Sequence, residues 1–290
     1  MSQLLRIAIP KGSLQESTFD LLRRAGFDVQ LSSRSYFPVI DDPELEMVMF
    51  RAQEISRYVE DGVIDMGLTG HDWICENGSD VVEVCELVYS KATARPAHWV
   101  LAVPNESTVT KPEDLAGGII ATELVNVTRK YFADKKIDVK VEFSWGATEV
   151  KARLLDGIVE ITETGSSLRA NNLKIIGEIM TSTTRLIANK QAWEDPFKRE
   201  KIEGLTLLLR GAIEGRKRVG LKMNLSKAKL ADVLNLLPAE KSPTINQLAD
   251  EKFVALEVIL EEKLARDLVP KLCKQGATGI FTYPLLKVIP

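Results

Sequence analysis

The residues best suited to chemistry lie in one block, DGIVEITETGSSLRANN, at positions 156–172. Its two acids, Asp156 and Glu160, alternate with apolar residues as in a strand, which places them on one face. The segment that follows, ETGSSL at 163–168, combines small residues, two hydroxyls and backbone N–H groups at a presumed helix start. Such groups bind anions. The block therefore predicts a phosphate-binding loop beside carboxylates that need partners such as ribose hydroxyls, a cationic centre or Mg²⁺.

The same residues also allow a simpler interpretation. The G-x-x-x-x-G-K-[ST] spacing of the P-loop is absent from this block. Thr-Gly-Ser-Ser is a common way to begin a helix, and two acids on an edge strand could face solvent. From these residues alone, a ligand loop and an ordinary helix start both stay open.

A second block repeats the pattern. DGVIDMGLTG at 61–70 and DGIVEITETG at 156–165 share Asp, Gly, Thr and Gly at equal offsets. Chance is one explanation for a match of ten residues. The other is a pair of similar lobes whose strand ends face each other across a cleft, where open α/β sheets bind ligands.

Candidate anion ligands end two strands near the N-terminus. Lys11 and Gly12 lie between a strand and a helix start, where a lysine opposes the helix dipole unless an anion lies between them. Arg51 ends a later strand, where its planar guanidinium could bind phosphate. A solvated side chain is the alternative at each position, and Arg34 and Arg95 are weaker candidates.

The segment LTGHDW at 68–73 places Gly70 and Asp72 after another strand. Trp73 is better explained as a core residue than as a platform for adenine. His71 is better explained as a hydrogen-bonded polar residue than as a catalytic base.

Strand-like and helix-like segments alternate through the first two thirds of the chain. Strands are predicted at 4–10, 45–50, 63–70, 98–104, 139–143 and 157–162, and helices at 13–25, 53–62 and 125–136. Ser13 and Glu16 have the spacing of a capping box. This alternation predicts an α/β fold with largely parallel sheets.

The last 75 or so residues follow another plan. Strands are predicted at 218–224, near 244–248, at 253–260 and at 279–283, with helices at 227–236 and 262–275. That order, β-α-β-β-α-β, is typical of a ferredoxin-like unit. With no glycine-rich loop and no histidine, it suits a regulatory ligand or oligomer contacts better than the main chemistry.

Composition excludes several classes of protein. The formal net charge is −3, so no strong field draws the chain to nucleic acid or to anionic membranes. The absence of a long apolar segment and of a signal-peptide pattern at the N-terminus predicts a cytoplasmic protein. Cys75, Cys85 and Cys273 are interpreted as reduced core residues. The two histidines do not cluster with them, which argues against zinc.

Several blocks together resemble the long form of the ATP phosphoribosyltransferase family. They are RIAIPKGSLQEST, FRAQEISRYVEDGVIDMGLTGHDW, FSWGATEVKARLLDGIVEITETGSSLRANNL, STTRLIANKQAW, SPTINQLADEKFVALEVIL and GATGIFTYPLLKVIP. They occur in the family's order and cover the chain from about residue 4 to residue 290. ETGSSLRAN is the most specific of them. The family usually has arginine after Lys11-Gly12, where this chain has Ser13.

The resemblance implies a fold and a set of domains. The catalytic part would be a two-lobed α/β structure like type II periplasmic binding proteins. Lobe I would span residues 1–98 and be completed by about 185–211, and lobe II would span 99–184. A ferredoxin-like, ACT-like regulatory domain would span 212–290. The resemblance also implies dimers and hexamers.

The implied activity is the first step of histidine biosynthesis. ATP and 5-phosphoribosyl 1-diphosphate (PRPP) would give N1-(5-phosphoribosyl)-ATP and diphosphate, with Mg²⁺ carried mainly by the two substrates. Histidine would inhibit, and whether AMP also does so stays open. On this interpretation residues 61–70 face ATP and residues 156–165 face PRPP.

The resemblance assigns residues to each role. The catalytic residues would be Asp156, Glu160, Lys11 and Arg51. PRPP would be bound by Asp156, Glu160, Glu163, Thr164, Gly165, Ser166, Ser167 and Leu168. ATP would be bound by Lys11, Gly12, Arg51, Gly70 and Asp72. Histidine would be bound near Asn224, Ser242, Thr244, Ile259 and Gly279, and some relatives have an acid in place of Asn224.

Three alternatives stay open at this stage. The chain could be a solute-binding protein of the same fold, a subunit that regulates rather than catalyses, or a phosphoribosyltransferase for another acceptor. The last is the nearest to the main interpretation, because the acceptor pocket is less well marked than the PRPP loop.

Overall fold

The computed structural model describes residues 3–32, 35–89, 95–238 and 243–289. The chain divides into two compact units. The larger comprises Met1–Arg23 and Phe27–Thr206, and the smaller comprises Arg24–Gly26 and Leu207–Pro290. Within the described residues, no helix is long and apolar enough to cross a membrane.

The larger unit alternates strands and helices. Its strands are β1 (Leu5–Lys11), β2 (Val29–Gln30), β3 (Val39–Ile40), β4 (Leu45–Arg51), β5 (Met66–Gly70), β6 (Val82–Leu87), β7 (Ala97–Pro104), β8 (Ile119–Thr122), β9 (Lys140–Phe143), β10 (Gly157–Thr162), β11 (Leu173–Ser182) and β12 (Thr184–Ala188). Its helices are α1 (Gln15–Ala25), α2 (Ala52–Glu60), α3 (His71–Asn77), α4 (Val125–Asp134), α5 (Thr148–Lys151), α6 (Ser166–Ala170), α7 (Lys190–Glu194) and α8 (Pro196–Arg216), the last of which continues into the smaller unit.

Two sheets define two lobes. In the described residues, the sheet of lobe I has the strand order β4-β1-β5-β12-β6, and the sheet of lobe II has the order β11-β7-β10-β8-β9. In lobe I, β1 pairs in parallel with β4 and β5, whereas β12 is antiparallel to β5 and β6. In lobe II, β10 is parallel to β8 and antiparallel to β7. The predicted two-lobed α/β fold is confirmed. The prediction of largely parallel sheets is wrong, because four of the eight described strand pairings in these two sheets are antiparallel.

The chain passes between the two sheets twice. It leaves lobe I after β6 and enters lobe II at β7, and it returns directly from β11 to β12 through Thr183. These crossings lie close to the predicted limits at 98 and 184. The precise domain limits, 1–98 with 185–211, 99–184 and 212–290, stay a prediction.

Each lobe is held by its own apolar core. In β1, the consecutive residues Ile7, Ala8 and Ile9 are almost fully buried, which explains the continuous apolar segment of a strand covered on both faces. The core of lobe II is built around Trp99 and Phe132, both at most 2% exposed. Truncating an aromatic residue in such a core costs about 3–5 kcal/mol.

The smaller unit has the predicted β-α-β-β-α-β order. Its elements are β13 (Arg218–Ser226), α9 (Leu230–Leu234), β14 (Thr244–Gln247), β15 (Phe253–Glu261), α10 (Glu262–Lys274) and β16 (Thr278–Pro284). The described strands form an antiparallel sheet in the order β14-β15-β13-β16. Leu221, Met223 and Leu225 alternate into its core. The predicted helix at 227–236 is shorter, because a 3-10 turn occupies Lys227–Lys229.

The cysteine prediction is half right. All three cysteines are free thiols. Cys75 and Cys273 are exposed and Cys85 is half-buried, so their assignment to the core is wrong. The prediction that no histidine lies beside them is wrong for Cys75, whose Sγ lies 3.5 Å from His71 Nε2, one helical turn earlier on α3. In α10, Leu272 faces the core and the adjacent Cys273 therefore points outward.

Candidate functional site

The candidate site is a cleft between the two lobes. A cavity of about 530 Å³ is lined by residues of both sheets and of the crossing segments. The carboxyl ends of β1, β4 and β5 supply Lys11, Arg51 and Gly70 from lobe I, and β10 supplies Glu160 from lobe II. Ligands of open α/β sheets bind at such strand ends.

Lobe I forms a basic side of this cleft, defined by Lys11 and Arg51. The two residues are partners in the parallel register of β1 and β4, so their side chains start from neighbouring strand ends. Lys11 Nζ lies 3.6 Å from the ring centroid of Tyr36. Its hydrogen bond and charge lower the pKa of the Tyr36 hydroxyl. Two exposed cations side by side repel each other, so this side is suited to an anion.

The predicted residues Gly12 and Gly70 also line the cavity beside these cations. Gly12 has φ +115°, in the region that favours glycine. Gly70 precedes α3, and a Cβ at this position would lie 2.0 Å from Asp72 Oδ1. A glycine is therefore required at position 70 for the Asp72 side chain to fold back over the start of the helix.

Lobe II forms the acidic side of the cleft, defined by Glu123, Glu160 and Glu163. Burial raises the pKa of Glu160, and the charges of the nearby Glu149 and Glu123 raise it further. Hydrogen bonds from the Ile161 N–H (3.0 Å) and from the Thr148 hydroxyl oppose this shift. A carboxylate held in a cleft at such a cost is typical of a functional site.

The loop at 163–168 continues from this acidic side. Gly165 has φ +70° and precedes α6, and its N–H donates to Thr162 Oγ1 at 2.7 Å. Thr164 Oγ1 donates to Ser166 Oγ at 3.1 Å, and Ser167 Oγ donates to Glu149 Oε1. Leu168 is 1% exposed and packs in the core of lobe II, so its side chain anchors the loop.

Asp156 does not join this cluster. It precedes β10, whereas Glu160 lies near the opposite end of the strand, about 13 Å away at the usual rise per residue. The Asp156 carboxylate accepts from the Ile119 N–H at 2.8 Å, and the residue is exposed. It is not among the residues that line the cleft. Its contact with a ligand stays a prediction. In the structure, the Asp156 carboxylate holds the backbone at the start of β8.

Asp72 lies at the hinge between the lobes. Its Oδ2 accepts from Trp99 Nε1 at 2.6 Å, and its backbone N–H donates to Ser182 Oγ at 3.1 Å. Trp99 lies on β7 just after the first crossing and Ser182 ends β11 just before the second, so one residue of lobe I bonds to lobe II beside both crossings. Asp72 is 2% exposed, and burial raises its pKa while the Trp99 hydrogen bond opposes the shift. Its predicted contact with ATP stays a prediction.

We expect Trp99→Phe to lower the free energy of unfolding by about 1–3 kcal/mol, because the buried Asp72 carboxylate loses its indole donor. Urea unfolding measures this loss. Trp193→Phe is the control, since Trp193 lies on α7 and its ring centroid is 4.8 Å from Arg199 Cζ of α8. Equal losses in the two variants would contradict a special role for the Trp99–Asp72 bond.

Sequence reasoning missed part of the cleft. Glu123 and Trp99 line it and were not singled out, and Arg95, a weaker candidate, lines it as well. Glu123 directly follows β8 and precedes α4, so an acid between a strand and a helix was an available signal. Arg34 lies outside the described residues.

The predicted histidine contacts are only partly gathered in the smaller unit. A Cβ at Gly279 would lie 3.3 Å from Asn224 Nδ2, so these two positions are neighbours. Ile259 pairs with Gly220, and Thr244 pairs with Glu257, both farther along the sheet from Asn224. Ser242 lies outside the described residues. These contacts stay a prediction.

The fold and the site together define a class of protein. It is a two-lobed α/β protein with a ligand cleft that is basic on one side and acidic on the other, joined to a ferredoxin-like unit. Family models match this chain as ATP phosphoribosyltransferase at residues 51–211 and as the HisG C-terminal domain at residues 215–287. The chain belongs to the ATP phosphoribosyltransferase family, in its long form.

Curated relatives agree with this assignment. The ATP phosphoribosyltransferase of Chlorobium luteolum is 56% identical over 289 residues, covering 99% of this chain and 98% of the relative. That of Pelodictyon phaeoclathratiforme is 57% identical over 290 residues, covering 100% and 99%. Among solved structures, a chain of the ATP phosphoribosyl transferase (HisG:HisZ) complex from Thermotoga maritima is 29% identical with a TM-score of 0.62. It matches 73% of this chain and 98% of its own length.

Proposed function

We propose that this chain transfers the phosphoribosyl group of PRPP to N1 of ATP, releasing diphosphate, as the first step of histidine biosynthesis. The observation that carries the proposal is the separation of charge across the cleft, in a chain of this family. Lys11 and Arg51 lie on one side, and Glu123, Glu160 and Glu163 lie on the other. The reaction needs both signs of charge, because the ribose ring becomes cationic while the leaving group becomes more anionic.

In this mechanism the adenine N1 attacks the anomeric carbon of PRPP as the bond from that carbon to the diphosphate oxygen breaks. Glu160 stabilises the developing positive charge on the ribose in a partly desolvated site. Lys11 and Arg51 neutralise phosphate groups on the basic side. No covalent intermediate is needed, so catalysis comes from positioning and from preorganised charge.

The loop at 163–168 would bind the 5-phosphate of PRPP. Its backbone N–H groups at the start of α6 and its hydroxyls at positions 164, 166 and 167 are suitable donors. The segment that ends at Gly70 would face ATP. On this proposal the two repeated blocks hold different substrates, one from each lobe.

Mg²⁺ would enter the cleft bound to the phosphates of ATP and PRPP. Among the residues that the structure describes, no three His, Cys, Asp or Glu side chains form a metal-binding group. The proposal rests on the preference of Mg²⁺ for phosphate and water oxygens. When bound, the ion would supply charge neutralisation at the leaving diphosphate.

The smaller unit would bind histidine, the end product, and inhibit turnover. Asn224 and Gly279, which are neighbours, are the first positions to test, and Asn224 supplies a neutral amide where some relatives have an acid. We further propose a cytoplasmic enzyme that assembles as a dimer or hexamer.

The proposal is tested by mixing the purified chain with ATP, PRPP and Mg²⁺ and separating the products by mass. We expect the N1-adduct and diphosphate in equal amounts, and loss of turnover when histidine is added. GTP, adenine and AMP serve as competing acceptors. Turnover with one of these but not with ATP would contradict the proposed acceptor. Binding of PRPP without turnover would instead favour a solute-binding role.

A further inference from the structure

We infer that Glu76 is a positioning residue, which holds the first turn of α4 from the opposite lobe and so fixes the acidic side of the cleft. Glu76 lies on α3 in lobe I, and α4 lies in lobe II. The part of this inference that concerns kinetics rests on the proposed function. The structural part does not.

The Glu76 carboxylate takes the place of a side-chain cap on α4. The residue before this helix, Leu124, makes no capping hydrogen bond with its side chain. Instead, the Asn126 N–H donates to Glu76 Oε1 at 2.9 Å and to Oε2 at 2.9 Å, and the Val127 N–H donates to Oε2 at 3.0 Å. The first N–H groups of a helix lack partners within the helix, and a negative charge there is favourable.

The contact between Glu76 and Asn126 is also reciprocal. Asn126 Nδ2 donates to the Glu76 carbonyl oxygen at 3.0 Å, so one residue of lobe I and the first turn of α4 exchange donors and acceptors. The positions are fixed in both directions, because the carboxylate holds the backbone of α4 while the Asn126 amide holds the backbone of α3.

The rest of α3 supports the same connection. Trp73 packs against the core of lobe II and meets Trp99 edge to face, with ring centroids 5.9 Å apart. Asp72 bonds to Trp99 and Ser182 at the hinge. The helix therefore contacts lobe II at its start through Asp72 and Trp73, and near its end through Glu76. A change in the angle between the lobes must break or move these contacts.

The consequence for the site runs through Glu123. This residue lies directly before Leu124, so the helix start that Glu76 holds immediately follows an acidic side chain of the cleft. Glu123 Oε2 accepts from Gln53 Nε2 of lobe I at 3.4 Å. Releasing the turn would allow Glu123 to leave its position and would lower the fraction of molecules whose cleft is ready for substrate.

The test compares Glu76→Ala and Glu76→Gln with Glu46→Ala. Glu46 is a matched control, because its carboxylate pairs with Arg6 within lobe I at 3.4 Å. The first readout is hydrogen exchange of the Asn126 and Val127 amides by NMR, without substrates. We expect exchange to be about 5- to 30-fold faster in Glu76→Ala and intermediate in Glu76→Gln, whose amide oxygen can still accept. Glu46→Ala should match the wild type.

The second readout is steady-state kinetics. A binding-competent fraction that falls about 5- to 30-fold raises the apparent dissociation constant by the same factor, so KM for ATP and KM for PRPP should each rise about 5- to 30-fold in Glu76→Ala. At saturation kcat should change by less than about threefold. A merely structural role predicts a lower Tm and less active enzyme with KM unchanged, and that result would overturn the inference.

Unchanged exchange at Asn126 and Val127 would also overturn it. The exchange readout uses no substrate, so it stands or fails independently of the activity. A wild-type chain without turnover, in which Glu76→Ala still speeds exchange at these two amides, would contradict the proposed function while supporting the role of Glu76 in joining the lobes.

Discussion

Glu160→Ala is expected to lower kcat by about 10²- to 10³-fold, the range found when one preorganised electrostatic contact to a transition state is removed. The reason is that burial raises the pKa of Glu160 on the lobe II side of the cleft, so its charge acts in a partly desolvated site. KM for either substrate should change much less, because the ribose carries little positive charge before the transition state. Steady-state kinetics with both substrates varied measures the two effects separately.

The control for this variant is Glu142→Ala. Glu142 also lies in lobe II, on β9, where it pairs with Lys140 at 2.6 Å. It should keep the wild-type kcat. A second comparison is Asp156→Asn, since alternation in sequence groups Asp156 with Glu160 whereas the structure separates them. A loss of kcat in Asp156→Asn as large as in Glu160→Ala would support the sequence interpretation and contradict the structural one.

The raised pKa of Glu160 gives opposite pH dependences for stability and activity. Since burial raises the pKa, the folded chain holds this proton more tightly than the unfolded chain does. The contribution of Glu160 to the free energy of unfolding is therefore lost as pH rises through the raised pKa and the carboxylate ionises. Glu160→Gln should leave Tm at neutral pH unchanged or higher. Activity needs the ionised form, so kcat/KM should fall on acidification at a higher pH than an ordinary glutamate would cause.

Gly165→Val is expected to raise KM for PRPP by about 5- to 150-fold, which corresponds to about 1–3 kcal/mol of backbone strain. Gly165 has φ +70°, a conformation that β-branched residues disfavour, and a Cβ there would lie 2.8 Å from Arg169 Nη1. The loop must shift to accept valine, so the donors proposed for the 5-phosphate lose their alignment. KM for ATP should change little.

Gly117→Val provides the matched control for the strain itself. Gly117 has φ +79° in the same lobe, with nothing within 4 Å of an added Cβ. This variant should lower Tm while leaving KM for PRPP near the wild-type value. If Gly165→Val instead raised KM for ATP and spared PRPP, the assignment of substrates to the two repeated blocks would be reversed.

The repeated blocks illustrate what sequence can and cannot predict. Gly70 and Gly165 occupy equal offsets, and both immediately precede a helix, as the repeat suggests. The acids at equal offsets, Asp65 and Glu160, do not correspond. Asp65 precedes β5 and bonds to Lys198 at 2.6 Å, whereas Glu160 lies within β10 and lines the cleft. The place of the glycine before a helix repeats with the sequence, but its backbone conformation does not, since φ is −74° at Gly70 and +70° at Gly165. The register of a strand relative to its sheet is set by tertiary packing.

The residues of lobe I that line the cleft were predicted better than those of lobe II. Lys11 and Arg51 end parallel strands, so the α/β pattern alone brings them to one edge. Asp156 does not line the cleft, and alternation could not show this, because it identifies the face of a strand and not the end that meets a ligand. Trp99 and Glu76 act on partners far along the chain, at Asp72 and at Asn126, and no local pattern reports such contacts.

The most direct test of the central claim is a single-turnover measurement of the N1-adduct, with enzyme in excess over PRPP and with saturating ATP and Mg²⁺. This experiment isolates the chemical step from binding and product release. We predict that the wild-type chain forms the adduct with one diphosphate released per adduct, and that Glu160→Ala forms it about 10²-fold or more slowly. Equal single-turnover rates in the two proteins would contradict the claim that the acidic side of the cleft stabilises the cationic ribose.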